Sequence, residues 1–86
     1  MNDPLPRSLL PDTASFADDG RMSIGGCDVV DLAERYGTPL FVYDEAHIRA
    51  RCREAVSVLG EGATYASKAF LCREMARLAH EEGMRI

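Results

Sequence analysis

The stretch "ATYASKAFLCREMARLAHEEGMRI", residues 63–86, decides how the chain is read. Residues 63–68 suit a strand, and the run ends on Lys68. Leu71, Cys72, Met75, Leu78 and Ala79 then recur at helical spacing, and Gly83 closes that helix. Residues 84–86 open a further strand-like run. This order of strand, helix and strand is an α/β pattern, and it requires parallel strands joined by a right-handed crossover. Lys68 is the one lysine, against nine arginines. It stands at the C-terminal end of its strand, where parallel sheets and barrels carry their active sites. Burial strips hydration from a lysine cation and lowers its pKa, and the neutral amine can attack an aldehyde. Ala66 and Ala69 leave room for a planar ring to approach the backbone. A solvated surface charge is the competing reading of a lone lysine.

Upstream, "LFVY" (40–43) reads as a buried strand, and Asp44 as the cap of a helix over about residues 45–59. Ile48, Cys52, Ala55, Val56 and Leu59 form that helix's apolar stripe, while Arg49, Arg51 and Arg53 read as a solvated face. Gly60 and Gly62 end it. "GGCDVVDLAERYGTP" (25–39) predicts a shorter helix, capped by Asp28 and striped by Val29, Leu32, Ala33 and Tyr36. Gly37 suits the left-handed position after that helix, and Pro39 stops it. Gly25-Gly26 reads as a loop more readily than as a phosphate cradle. Asp19-Gly20 predicts a type I′ hairpin turn. Residues 1–15 hold three of the four prolines and read as an irregular arm.

Composition narrows the function classes. An apolar share of 47% and a charged share of 28% are those of a globular protein. A formal charge of −4 argues against a nucleic-acid or anionic-membrane partner. No apolar run is long enough to span a bilayer, and the first residues lack the basic and apolar regions of a secretory signal, so the cytoplasm is the expected compartment. Cys27, Cys52 and Cys72 form no metal-ligand or CxxC spacing; Cys52 and Cys72 are expected to be buried on helix faces. His47 and His80 read as surface residues.

"GTPLFVYDEAHIRAR" (37–51) followed by "YASKAFLCREMARLAHEEG" (65–83) resembles the N-terminal part of the diaminopimelate decarboxylase family, alanine-racemase-like enzymes that use pyridoxal 5′-phosphate. "DGRMSIGGCDVVDLAERYGTPL" (19–40) resembles that family's opening segment, so the likeness spans about residues 16–86. It implies that Lys68 is the lysine that holds pyridoxal 5′-phosphate, with Ala66 beside the cofactor. It implies decarboxylation of meso-2,6-diaminopimelate to L-lysine, a small-molecule amino-acid substrate, and a homodimeric enzyme. The implied fold is the start of a (β/α)8 barrel, with residues 44–86 as its first strand and flanking helices. Residues 16–43 would belong to a second, mostly β domain. Such a barrel takes roughly 250 residues, so the 86-residue chain is expected to be an incomplete and inactive part of it. Phe70 departs from the pattern, standing where many of the family carry asparagine. Two alternatives stay open at this level. One is another enzyme of the same fold, an arginine or ornithine decarboxylase or an amino-acid racemase; the other is a small non-catalytic α/β interaction module.

Overall fold

A computed structural model describes residues 5–86. The chain divides into two compact units, Met1–His47 and Ile48–Ile86.

The first unit is built on a three-stranded antiparallel meander. Its strands are β1 (Ser15–Phe16), β2 (Met22–Ile24) and β3 (Cys27–Asp28), in the order β1-β2-β3. Ser15 pairs with Ser23 and Phe16 with Met22; Ser23 also faces Asp28, and Ile24 faces Cys27. The hairpin expected around Asp19-Gly20 is present, but its turn is of another kind. The Gly20 amide donates to the Ala17 carbonyl at 2.9 Å, and only Gly20 has positive φ, at 88°. This is a β-turn followed by a glycine bulge, which lets Asp19 keep an ordinary backbone and accept the Arg21 amide at 3.0 Å. The two-residue turn with positive φ at both centres occurs instead at Gly25 (58°) and Gly26 (80°), between β2 and β3. Glycine carries no steric penalty there, so a pair read as a loop is a tight hairpin that creates β3.

Helix α1 (Val29–Tyr36) follows β3 directly. Asp28 caps it as expected, its Oδ1 accepting the amides of Val30 at 2.8 Å and Asp31 at 3.1 Å. Gly37 ends the helix with φ 82° but ψ 173°, an extended conformation open to glycine rather than the left-handed helical one expected. The buried strand expected at 40–43 does not form. Leu40, Phe41, Val42 and Tyr43 run as irregular, exposed chain, Phe41 being 88% exposed. Apolar composition implies burial, but a parallel-type strand forms only against neighbours, and the described residues offer this stretch none. The buried apolar residues of this unit are Leu10 and Ala14, which lie within the segment read as an irregular arm, and a 3-10 turn at Arg7–Leu9 precedes them.

Helix α2 (Glu45–Leu59) starts where Asp44 predicts, with the Asp44 Oδ1 accepting the His47 amide at 3.2 Å. In the second unit, α2 and α3 (Arg73–Glu81) bury Cys52, Leu78 and Ala79, with Ala63 fully enclosed. Helix α3 begins two residues later than the apolar spacing suggests. Cys72 is the residue before its first turn and is exposed, against the expectation of a buried thiol, and Leu71 is 58% exposed. Cys52 is buried as expected. The C-terminus of α3 closes as a Schellman motif: the Met84 amide donates to Ala79 and the Gly83 amide to His80, both at 3.0 Å, with Gly83 at φ 88°. Of the two strands expected at 63–68 and 84–86, one parallel bridge forms, Thr64 with Arg85. No helix among the described residues is long and apolar enough to cross a membrane.

Candidate functional site

Lys68 owes its position to three local events. Gly60, at φ 58°, stops α2, and a 3-10 turn over Gly60–Gly62 redirects the chain. Ala63 to Tyr65 then lies against Arg85: the Arg85 amide donates to Ala63 at 2.9 Å and the Tyr65 amide to Arg85 at 2.7 Å. After Tyr65 the pairing ends and the chain turns, with the Ala69 amide reaching back to the Ala66 carbonyl at 3.3 Å. The Tyr65 hydroxyl donates to the Phe70 carbonyl across the base of this turn. Lys68 is therefore in a turn beyond a parallel bridge, not the last residue of a regular strand. Both Lys68 and Ala66 are exposed. The arrangement offers a primary amine to solvent with two methyl side chains, Ala66 and Ala69, as its near neighbours in the chain. An accessible amine of this kind can condense with an aldehyde.

Each unit also holds an open groove, and neither touches Lys68. In the first unit a groove of about 470 Å³ is lined mainly by apolar side chains, among them Leu32, Tyr36, Phe41 and Tyr43. In the second, an open surface of about 560 Å³ runs along His80 and residues 83–86. Among the described residues, no group of three or more histidine, cysteine or acidic side chains is placed to hold a metal ion.

Two polar clusters escaped the sequence reading. In the first unit the Asp44 carboxylate, 6% exposed, accepts the Thr13 amide at 2.9 Å and the Thr13 hydroxyl at 2.6 Å. Burial pushes the Asp44 carboxyl up, but the bonds from Thr13 and from the His47 amide outweigh it and hold it below the ordinary value. Asp44 was legible as a helix cap; its second role, gripping a residue 31 positions earlier, carries no sequence signal. In the second unit, Arg49 bonds Glu82 at 2.8 Å and Glu81 at 2.9 Å, and Arg53 bonds Glu82 at 2.7 Å. The reading of these arginines as a solvated face is corrected for Arg49, whose side chain is 23% exposed; Arg53 stays solvated at 66% while bonding Glu82, and together they tie α2 to the end of α3. Hydrogen bonds first from Arg49 and then from Arg53 lower the Glu82 carboxyl. Burial raises the Cys52 thiol, which makes it a poor nucleophile.

No protein-family model matches the chain. Its curated relatives are amino-acid decarboxylases by name, and that is the class to which it is akin. Within that class the chain is homologous to diaminopimelate decarboxylase: 48% identical to that of Corynebacterium efficiens over 93% of its own length. It is 52% identical to that of Mycobacterium tuberculosis over 76%, and 44% identical to that of Bacillus methanolicus over 84%. The chain spans 15–18% of the length of these relatives.

Proposed function

We propose that this chain supplies the cofactor-bearing lysine, Lys68, of a pyridoxal 5′-phosphate-dependent decarboxylase that converts meso-2,6-diaminopimelate to L-lysine and CO2. The observation that carries this reading is the exposed amine of Lys68, set in the turn just past the Thr64–Arg85 parallel bridge within "YASKA". The names of the relatives support the choice of substrate over the arginine, ornithine and racemase alternatives. In this reading residues 44–86 open a (β/α)8 barrel and residues 16–43 belong to a mostly β domain. The assembled enzyme is a cytoplasmic homodimer without a nucleic-acid partner.

The residues present fit the attachment role. Lys68 is accessible, and its chain neighbours Ala66 and Ala69 carry only methyl side chains, which leaves room beside the backbone for a flat heteroaromatic ring. When bound, pyridoxal 5′-phosphate supplies an electron sink for the pair left as the carboxylate departs as CO2. Lys68 must be neutral at Nζ to act as a nucleophile, and must accept a proton when it leaves. The overall change breaks one carbon–carbon bond and places a proton on the same carbon. Tyr65, by bonding the Phe70 carbonyl, holds the ends of the Lys68 turn together.

The test uses the fact that Lys68 and the chain's α-amine are its only primary amines. Incubation with pyridoxal 5′-phosphate, borohydride reduction and peptide mapping should place the label on Lys68 well in excess of the α-amine. Lys68→Ala should leave only α-amine label. Equal labelling of the two amines would overturn the assignment. For the substrate, exchanging this segment into the Mycobacterium tuberculosis relative should preserve growth without added lysine, and adding Lys68→Ala to that chimera should abolish it.

A further inference from the structure

The imidazole of His47, in the first turn of α2, faces two groups of one residue. Its Nδ1 lies 2.8 Å from the Asp12 backbone nitrogen, whose N–H donates to it, and 3.3 Å from the Asp12 Oδ1. These contacts bring the loop at residues 10–14 to the start of the helix. Leu10 and Ala14 of that loop are among the buried residues of the unit, so its anchoring matters to packing. The loop is held from other sides as well: the Asp44 carboxylate grips Thr13, the Thr13 hydroxyl accepts the Gly25 amide at 2.7 Å, and the Arg7 guanidinium bonds the Asp12 and Ala14 carbonyls at 2.7 and 2.6 Å.

An imidazole nitrogen that accepts a hydrogen bond carries no proton. When the ring is protonated both nitrogens become donors, and the Asp12 amide is left pointing at an N–H. The Asp12 carboxylate oxygen, 3.3 Å from the same nitrogen, is then the acceptor within reach. We propose that His47 and Asp12 form a proton-operated exchange latch: the neutral ring accepts the Asp12 amide, and the protonated ring releases that amide and donates Nδ1–H to the Asp12 carboxylate. Among the charged groups near the ring are Asp12 from the loop and Asp44 from the residue capping α2, and Arg7 reaches the Asp12 carbonyl from the 3-10 turn. Thr13 stays bonded to Asp44 in both states, because that bond needs only an ionised Asp44. The loop therefore remains docked while one amide changes its partner.

Amide and ring resonances of the full chain, followed by nuclear magnetic resonance from about pH 8 to pH 5, the range in which imidazoles change charge, read the exchange directly. The Asp12 amide should shift with the same midpoint as the His47 ring protons. Its protection against hydrogen exchange, corrected for intrinsic pH dependence, should fall as the ring charges, while the Thr13 amide stays protected. His47→Asn keeps an acceptor near the Nδ1 position and does not ionise, so the Asp12 amide should stay protected and stop titrating. In Asp12→Asn the amide should still be released as the ring charges, without the charge-assisted replacement, while Thr13, held by Asp44, stays protected. An Asp12 amide in the unaltered chain that is indifferent to pH while the His47 ring titrates would overturn the latch. So would an undiminished titration in His47→Asn.

Discussion

The two units of this chain hold themselves together by different means. In the unit ending at His47, carboxylate, hydroxyl and imidazole groups take up backbone amides: Asp28 those of Val30 and Asp31, Asp44 those of Thr13 and His47, Thr13 that of Gly25. In the unit beginning at Ile48, charged side chains bond one another, Arg49 and Arg53 closing on Glu81 and Glu82. A side-chain-to-backbone bond satisfies a donor that would otherwise be left unpaired near a helix end or turn, and it fixes local geometry. An ion pair between long, partly solvated side chains fixes less and is screened by salt. Apart from the ion pairs of Arg21 with Asp28 and Asp31, the first unit should therefore resist salt and yield to the loss of single oxygen atoms, and the second should do the reverse. The single lysine, Lys68, is carried by the second unit, in a turn that follows a parallel bridge and is closed by the bond from Tyr65 to Phe70.

The largest effect should come from Asp44→Ala. It removes a helix cap and two bonds from Thr13 in a nearly buried setting, and should cost about 2–3 kcal/mol. Denaturant unfolding measures the loss, and amide exchange should place it at residues 12–14 and at the first turn of α2. A change confined to α2 would break the comparison, since it would make Asp44 a cap and nothing more. The carboxylate acts only when ionised. Its folded value lies below the unfolded one, so its contribution is complete above about pH 4, and disappears as the pH falls through the folded value. Asp28 and Glu82, also lowered, act in the same direction.

Glu82→Gln should come second. It leaves both arginines without their shared carboxylate, loosening the end of α3 against α2. The diagnostic is salt: the unaltered second unit should lose protection in α3 as sodium chloride is raised, and the variant should show little further loss. If α3 protection is insensitive to salt in both, the ion pairs do not hold this unit and the contrast with the first fails.

These effects also show which parts of the structure could be read from the sequence. Asp28, Asp44, Gly60 and Gly83 were legible because a cap or a stop acts within one helical turn of itself. The hairpin at Asp19-Gly20 was legible as a hairpin, though its turn type was not, because one glycine suffices when a bulge takes up the difference. Residues 40–43 were misread because apolar composition reports a tendency to be covered, and what covers a strand is a neighbour in space. Arg49 and Cys72 failed for the same reason in opposite senses, one exposed by spacing but tied in by Glu81 and Glu82, the other buried by spacing but exposed before the first turn of α3. At the candidate site, the position of Lys68 after a strand-like run could be read, and the Tyr65–Phe70 closure of its turn could not, since that bond spans an irregular loop.

Gly20→Ala tests a local term of the first unit. Alanine at φ 88° should cost about 1 kcal/mol, read as a lower unfolding midpoint with unchanged slope. A cost near zero would mean that the turn has converted to another form with no positive φ, which the Gly20 to Ala17 bond would report by its loss.

The smallest effect belongs to Arg51→Ala, which sharpens the comparison inside one helix. Arg51 stands on α2 between Arg49 and Arg53, and it pairs with Glu54 on the same helix at 3.0 Å, with the two side chains 56% and 64% exposed. A pair of this kind competes with water at little gain, so its removal should change stability by less than about 0.5 kcal/mol. Arg49→Ala removes the same charge from the same helix but takes it from Glu81 and Glu82, and its side chain is 23% exposed. A larger loss for Arg49→Ala than for Arg51→Ala, with the difference shrinking as salt is raised, would tie the cohesion of this unit to which residues the arginines reach. Equal losses would assign it to the total charge on α2.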